Sequence, residues 1–422
     1  MGRIARSAAS RNFAAIGKLE SLSGKPQVPK WNSTEKSHYQ SALIAFSLLY
    51  PEFVSPYAER SFHIKPSAES LAVSSSVTEK IRVVPGTGSQ LVSAVIPTRS
   101  RPGLVVNAVR SALQQTHFRI EVIVIIDGPD PETEASLARI HDARLRVVPL
   151  GANVGGSKAR NIGVRAARGR WIAFLDDDDE WLPQKIARQL AAAQASETAL
   201  PVISSKLIAR TPTGDFPQPL RSYIPGKPIS EYLFYRKSFA DGPFAMQTST
   251  LLVPRTLMLS IPFRPGLTRH QDWDWLLRAS HHPGVSFHVI PEPLVIFHTE
   301  DGRSGVSRAL DWEFSLLWGR EMRSCFSPRA YSFFVATECI PRAVKRGADA
   351  STCARLVGEF LFGGSPTLRS FAWMAVFLSF PQTLRAHLRQ LLRRAPWARR
   401  ATQAAPGTSG AFTPAANLKL TT

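Results

Sequence analysis

The sequence has few cysteines and no hydrophobic run long enough to cross a membrane. Cys325, Cys339 and Cys353 are the only cysteines among 422 residues, and their spacing fits no zinc site. So few thiols favour a reducing compartment. The stretch 370–384 is uncharged but contains Pro381, and it falls short of the ~20 residues that a membrane-spanning helix needs.

Acidic residues are also scarce. The chain has 52 Lys and Arg against 32 Asp and Glu, a formal net charge of +20, and Glu359 is the last acid. This imbalance favours a polyanionic partner, such as nucleic acid, an anionic membrane surface or a phosphate-bearing substrate. Because the sequence has no helix-turn-helix, zinc-finger or aromatic RNA-binding signature, we do not expect a nucleic-acid partner.

Against this basic background, acids are concentrated in the stretch WIAFLDDDDEW, residues 171–181. Five apolar residues predict a short buried strand, and the four aspartates 176–179 follow at its carboxyl end, where α/β sheets bind ligands. Adjacent carboxylates repel one another, so a divalent cation such as Mg²⁺, which prefers oxygen ligands, would stabilise them. The alternative is an acidic cap on a helix near Pro183, a role that Asp179 alone could fill. We favour the metal site because capping does not need four acids.

Strands and helices alternate along the middle of the chain. This alternation predicts an α/β fold with a mainly parallel sheet and right-handed crossovers. Gly169 is expected to cap one helix at its carboxyl end. The predicted strands are 91–97, 121–127, 144–149, 171–175, 202–210, 247–253 and two short ones within 285–297, and the predicted helices are 102–115, 131–140, 156–168, 183–196 and 272–280.

The chain divides into four predicted regions. Residues 1–90 form an extension of unknown role, for which a helical appendage and a partly disordered segment remain open. Residues 91–310 form the α/β domain, residues 311–400 a basic helical region, and residues 401–422 a disordered tail.

Several motifs within 91–300 resemble glycosyltransferases of family 2, which have the GT-A fold. The resemblance implies a Rossmann-like, mainly parallel sheet flanked by helices. It also implies inverting transfer of a sugar from a nucleotide-diphosphate donor to an acceptor hydroxyl, with Mn²⁺ or Mg²⁺ on the diphosphate. The matching motifs are VSAVIPTRSRP (92–102), EVIVIIDG (121–128), NVGGSKARNIGVRAARGRWIAFLDDDDEW (153–181), STLLVPR (249–255) and QDWDWLLR (271–278).

Two strand ends are candidates for binding the donor's nucleoside. Pro97 and Thr98 end the first strand, and the Thr98 hydroxyl could bond a base or ribose, although an ordinary turn is equally consistent. Asp127 ends the second strand, and the resemblance gives it a contact to a uracil or thymine N–H. The alternative for Asp127 is a helix cap or an Asx turn before Gly128.

The helix after Gly155 and Gly156 is a candidate for phosphate binding. Lys158 lies on its basic face and Arg160 is adjacent, and a helix N-terminus with cations attracts phosphate. The alternative is a solvated basic face.

Strand alternation places Asp176 and Asp178 on the same side of the acidic run. By resemblance to the family's DxD motif, Asp178 is the main metal ligand, and Asp176 and Asp177 assist through ribose or metal contacts. In some GT-A enzymes a histidine near the position of His298 helps to hold the metal, although a lone histidine is more often a simple hydrogen-bonding residue.

Inversion needs a general base for the acceptor hydroxyl, and QDWDW supplies the candidates. The resemblance favours Asp272, with Asp274 as the alternative. Family members commonly have Glu-Asp here, but this chain has Gln271 in place of the glutamate. The alternative is that these aspartates only place negative charge at the N-terminus of a helix, where the helix dipole favours it. A non-catalytic nucleotide-sugar-binding protein remains an alternative. A sugar-nucleotide pyrophosphorylase is not expected, because the glycine-rich phosphate loop that it would need is absent after Val95-Ile96.

The segment 368–392 combines large apolar residues with arginines and no acids. This pattern is typical of an interfacial anchor on anionic lipid, but a helix packed on the catalytic domain is equally consistent. Residues 1–18 lack a continuous apolar core, so we predict no signal peptide. Taken with the family resemblance, which implies an enzyme acting on a glycan or lipid-linked acceptor in bacterial polysaccharide or glycolipid assembly, these features predict a cytoplasmic protein in contact with the inner face of the plasma membrane.

Overall fold

The computed structural model describes residues 90–212, 214–236, 241, 245–299 and 311–379. The predicted extension before residue 90, the predicted tail 401–422 and the second half of the predicted anchor lie outside the described residues. The four-region division therefore stays a prediction.

The strands of the described residues form one mixed sheet. Its order is β3-β2-β1-β4-β8-β6-β9-β5, with β7 paired to β6. Strands β3, β2, β1 and β4 are parallel, as are β6 and β9, whereas β5, β7 and β8 pair antiparallel. The bounds are β1 Val92–Thr98, β2 Ile120–Ile126, β3 Leu145–Pro149, β4 Trp171–Phe174, β5 Asp179–Trp181, β6 Leu200–Thr211, β7 Gly214–Gln218, β8 Leu252–Pro254 and β9 Val285–His298.

Helices flank this sheet and continue beyond it, which confirms the predicted GT-A-like fold class. A π-helical segment, Val335–Cys339, joins two of the C-terminal helices. The helices are α1 Pro102–Leu113, α2 Pro131–Ala138, α3 Gly156–Ala166, α4 Lys185–Gln194, α5 Ile229–Phe234, α6 Arg255–Ser260, α7 Gln271–Ala279, α8 Trp312–Glu321, α9 Pro328–Phe334, α10 Ile340–Lys345, α11 Ala350–Phe362 and α12 Leu368–Ser379. No described helix has the length and apolar character needed to span a bilayer.

Two strand predictions differ from the structure. The two short strands expected within 285–297 are one strand, β9, which passes its prolines at a register shift opposite Ser205 and Lys206. A bulge is one of the few places where a strand accepts proline. In the predicted strand 247–253, only the end is extended, because Thr248–Thr250 is a 3₁₀ turn before β8.

The helix-capping prediction for Gly169 is wrong, and the capping alternative for Asp179 is not what the structure has. Helix α3 ends at Ala166, and Gly169 instead lies against β1, where a Cβ would come within 2.8 Å of the Ser93 nitrogen. The position of Gly169 therefore has no room for a side chain, because the two backbones approach closely. Asp179 caps no helix, since it lies in β5 opposite Phe297, and α4 begins later, at Lys185.

The two faces of the sheet bury separate hydrophobic clusters. In β1, Ala94 and Ile96 pack into the cluster that contains α1, whereas Val95 packs into the other. That second cluster runs from the sheet through Trp275 of α7 to Phe334 and the other C-terminal helices. The C-terminal helices therefore continue the core of the α/β domain.

Candidate active site

The acidic run occupies the turn between β4 and β5 and ends on the first residue of β5, Asp179. The Asp176 N–H donates to the Ser249 hydroxyl at 3.0 Å. Asp177 and Asp179 are buried, whereas Asp176 and Asp178 keep 32% and 28% of their side chains exposed. Two of the four carboxylates therefore remain partly exposed, although the run turns at Asp177 and Asp178 and does not keep the extended backbone that the predicted alternation assumed.

Asp177 ties the run to the end of β1. Its carboxylate accepts a hydrogen bond from the Thr98 hydroxyl at 2.7 Å and pairs with Arg101 at 2.8 Å. Burial raises the pKa of Asp177 to about 6. Arg101 also pairs with Asp178 at 3.1 Å. The Thr98 hydroxyl thus holds an acid of the run, and the predicted contacts of Pro97 and Thr98 to a nucleoside stay predictions.

Asp179 and the end of β9 close the other side of the run. The Ser249 hydroxyl donates to Asp179 at 2.6 Å, and burial raises the pKa of Asp179 well above its usual range. The pairing of β5 with β9 brings His298 Nε2 to 2.9 Å from a Glu180 oxygen. A cavity of about 20 Å³ results, which is enough for one water-sized ligand. It is lined by Leu104, Asn107, Asp177, Asp178, Asp179, Glu180 and His298.

The donor chemistry of the run fits a cation that arrives with a substrate. Within the described residues, no three acidic, histidine or cysteine side chains are arranged to enclose an ion. Mg²⁺, however, is usually held by one or two carboxylates together with substrate phosphates and waters. Asp176 and Asp178 are the two partly exposed carboxylates available for that role.

Asp127 braces the loop that precedes α3. It is buried, and its two oxygens accept backbone N–H groups of Val154 at 2.6 Å and Gly155 at 3.0 Å. Gly155 has a φ of 82°, a left-handed conformation that glycine adopts readily. Asp127 therefore fixes the start of α3, and its contact to a base stays a prediction.

Four polar residues of α3, namely Lys158, Arg160, Asn161 and Arg165, lie in three different environments. Lys158 and Arg165 are exposed, as a solvated face would be. Asn161 points into the core and exchanges two hydrogen bonds with the Phe263 backbone, at 2.7 and 3.0 Å. Arg160 is buried, pairs with Asp176 and donates to the Gln271 side-chain oxygen at 2.9 Å. Arg160 thus joins the acidic run to α7.

Asp272 lies in the first turn of α7, beside that junction. Burial and, to a smaller extent, the negative charge of Asp176 raise the pKa of Asp272 to about 6, against the lowering effects of the Trp273 N–H and of Arg160. One Asp272 oxygen accepts the Trp273 N–H at 2.9 Å. Asp272 is therefore electrostatically coupled to the acidic run.

Asp274, two residues further along α7, has a different environment. It is fully buried and accepts hydrogen bonds from Arg264 at 2.5 Å, Arg278 at 2.8 Å and the Trp318 indole at 3.1 Å. These partners surround the carboxylate with protein donors. Asp272, by contrast, is only half-buried.

Comparison with protein families identifies this domain. Residues 93–252 match the family described as "Glycosyl transferase family 2". The match covers less than half of the chain, so it is the domain at residues 93–252 that is assigned to glycosyltransferase family 2. The match begins in β1 and ends in β8, so it includes the acidic run and stops before α7.

Relatives of the family 2 domain include proteins named for bacterial polysaccharides. The succinoglycan biosynthesis protein ExoO of Rhizobium meliloti is 39% identical over 111 residues, which is 26% of this chain and 32% of ExoO. The amylovoran biosynthesis glycosyltransferase AmsB of Erwinia amylovora is 26% identical over 234 residues, covering 54% of this chain and 75% of AmsB. The chain thus spans about a third of ExoO and three quarters of AmsB.

A solved structure is distantly similar to this protein. S. aureus TarS 1-349 in complex with UDP-GlcNAc has 18% sequence identity and a TM-score of 0.45. The match covers 74% of this chain and 88% of the TarS chain.

Sequence reasoning did not single out several residues that organise the site. Arg101 and Ser249 lie inside motifs of the family 2 resemblance, but nothing local indicates which acid each would bind. Arg264 and Trp318 lie outside those motifs and meet Asp274 only through the fold.

We predict that Asp274→Asn destabilises the protein by about 2–4 kcal/mol, because two arginines would lose the charge that neutralises them. Urea denaturation measures the change. Asp142→Asn is the matched control, since it removes an aspartate from a partly exposed pair with Arg144. An Asp274→Asn protein as stable as the control would contradict a structural role for Asp274.

Proposed function

We propose that this protein is an inverting, metal-dependent glycosyltransferase. It transfers a sugar from a nucleotide-diphosphate donor to an acceptor hydroxyl during assembly of a bacterial surface polysaccharide or glycolipid. The observation that carries the proposal is the Arg160 bridge, which brings the acidic run of β4–β5 and the first turn of α7 together. A donor-holding group and a candidate base thereby share one site.

The acidic run is the proposed holder of the diphosphate. Asp178 and Asp176 would bind Mg²⁺ or Mn²⁺, with His298 as a candidate further ligand at the wall of the cavity. The bound cation would supply positive charge to the departing nucleoside diphosphate, the electrostatic contribution that is usually largest in such transfers. Lys158, exposed in the first turn of α3, adds positive charge for a phosphate at a helix N-terminus.

Asp272 is the proposed general base. A pKa of about 6 leaves its carboxylate mostly charged at neutral pH, while keeping it more basic than an ordinary aspartate. Its half-buried position limits access of water, which strengthens its interaction with a hydroxyl proton.

The acceptor is proposed to be a growing glycan or a lipid-linked saccharide. The names of ExoO, AmsB and the Bacillus subtilis protein TuaG refer to succinoglycan, amylovoran and teichuronic acid biosynthesis. These names support the polysaccharide class and leave the sugar and linkage open.

Gln271 favours a second candidate, a nucleotide-sugar-binding protein without turnover. Its amide occupies the position of the family's usual glutamate and accepts a hydrogen bond from Arg160. The first of the two acids usual in the family is therefore missing, and Asp272 stands at the position of the second. This candidate predicts that the protein binds the donor without turning it over. Asp272→Asn would then change nothing measurable.

Contact with an anionic membrane is proposed for α12. Trp373 and Met374 pack into the core, but Leu368 and Leu378 remain 68% and 43% exposed on the same helix. The sequence beyond Glu359 is basic and contains no acid. Exposed apolar residues with flanking arginines are the combination that binds anionic lipid surfaces.

Asp178→Ala is expected to abolish metal-dependent donor binding and to lower transfer at least about 100-fold, because a carboxylate ligand is lost. A thermal-shift screen of UDP- and dTDP-sugars, with and without Mn²⁺, identifies the donor for the native protein, since bound ligand raises apparent stability. Asp142→Ala serves as the control. Native-like Mn²⁺-dependent stabilisation and transfer in Asp178→Ala would refute the metal assignment.

Asp272→Asn is expected to lower turnover about 100-fold or more while donor binding persists, since it removes only the proton acceptor. In the native enzyme, kcat/KM should be constant above pH 7 and should fall as the pH decreases through about 6, because protonation inactivates a base of that pKa. Release of nucleoside diphosphate across pH 5 to 8 measures both effects. Unchanged turnover in Asp272→Asn would favour the binding-protein alternative.

Leu368→Glu should weaken co-sedimentation with phosphatidylglycerol vesicles, because it places a negative charge on the proposed contact surface. Phosphatidylcholine vesicles should bind the native protein poorly. Leu317→Glu is a matched control, since Leu317 on α8 is 65% exposed. Equal sedimentation of the two variants would count against membrane contact through α12.

A further inference from the structure

The residue that begins α7 has an unusual backbone conformation. His270 precedes the helix with φ 60° and ψ 23°, in the left-handed region. A residue with a Cβ is uncommon there and stays only when its surroundings hold it. Among the described residues, the other non-glycine residues with positive φ are Ser100 and Met246.

Helix α8 supplies the surroundings that hold His270. The imidazole stacks on Trp273 with ring centroids 4.7 Å apart and an interplanar angle of 11°. It also contacts Trp318 of α8 at 4.7 Å, and its Nε2 lies 2.9 Å from the Ser315 hydroxyl one turn earlier. His270 is 7% exposed. The ring is therefore fixed on one side by α7 and on the other by α8.

The same helix fixes a second point one turn into α7. The Trp318 indole donates to Asp274 at 3.1 Å, and the Asp274 N–H donates to the His270 carbonyl at 2.7 Å. Asp272 lies midway between these two residues. Its direction toward the acidic run therefore depends on contacts that α8 makes on either side of it.

The charges around the imidazole are consistent with a structural role. Burial and the neighbouring Arg269 and Arg342 guanidiniums lower the pKa of His270 well below its usual range. The ring is neutral at physiological pH, and it can exchange one hydrogen bond with Ser315 without a buried charge.

We propose that His270 is a positioning residue for Asp272. Helix α8 of the C-terminal region holds the His270 ring, the ring holds the left-handed turn, and the turn orients the first residues of α7. This inference rests on the proposed function, in which Asp272 is the general base. It makes the C-terminal helices part of the catalytic apparatus, because a displacement of about 1 Å at a catalytic group can cost 100-fold in rate.

His270→Val and His270→Asn separate this role from general stability. Valine disfavours the left-handed conformation and loses the ring, whereas asparagine adopts that conformation more readily and keeps a polar group for Ser315. We expect His270→Val to lower kcat at least tenfold with unchanged donor affinity, and His270→Asn to stay within about threefold of the native enzyme. A native kcat in His270→Val, or equal loss of kcat and donor binding in both variants, would overturn the proposal.

Ser315→Ala tests the same contact from the other helix. It removes the hydroxyl on α8 and leaves α7 unaltered, and it should lower kcat severalfold without changing donor affinity. Ser351→Ala, at an exposed serine of α11, is the matched control. If His270→Val does not fold, the comparison of these two serine variants decides, and equal kcat values would overturn the proposal.

The Asp272→Asn enzyme distinguishes the two possible failures. If Asp272→Asn is fully active, the proposed base is wrong. If Asp272→Asn is inactive while His270→Val and Ser315→Ala are both normal, the base stands and the positioning role of His270 is wrong.

Discussion

The site depends on the contacts that the Arg160 guanidinium makes with two different elements. It is buried, and it connects Asp176 at the end of β4 with Gln271 at the start of α7. A buried charge is costly without partners, so these contacts fix how the two elements face each other. Gly156 takes part because a Cβ there would lie 3.1 Å from Arg160 Nη1. Gly156, one of the two glycines predicted to admit a phosphate, thus leaves space for the guanidinium of Arg160.

The four adjacent aspartates have two distinct roles. Asp177 and Asp179 are buried and accept hydroxyl hydrogen bonds that tie the turn to β1 and to Ser249. Asp176 and Asp178 remain partly exposed, and each pairs with an arginine. The sequence indicated a run of mutually repelling carboxylates that a divalent cation would stabilise. In the fold, Thr98, Ser249, Arg101 and Arg160 supply hydrogen bonds and positive charge to these carboxylates.

The sequence predicted those elements whose signal is local. Apolar runs and helical periodicity gave β1 to β4 and α1 to α3 to within a few residues, and the motifs indicated the family and the acidic run. Pairings between distant segments could not be predicted. The three-residue strand β5 exists only because β9 lies beside it, and Asp274 differs from Asp272 only because Arg264, Arg278 and Trp318 reach it. Two similar acids in QDWDW therefore acquire their roles from the tertiary structure.

For the segment that begins at residue 368, the sequence left two alternatives open, a membrane anchor and a helix packed on the domain, and helix α12 is compatible with both. Trp373 of α12 is buried beneath the Arg236 guanidinium, at 5.2 Å from its ring, so the helix packs on the domain. Leu368 and Leu378 nevertheless face outward. A helix that is apolar on both sides can pack on a core and also meet a lipid surface, because each side buries its own area. Since α8 belongs to the same helical layer and contacts α7, membrane contact and orientation of Asp272 would be functions of one connected structure.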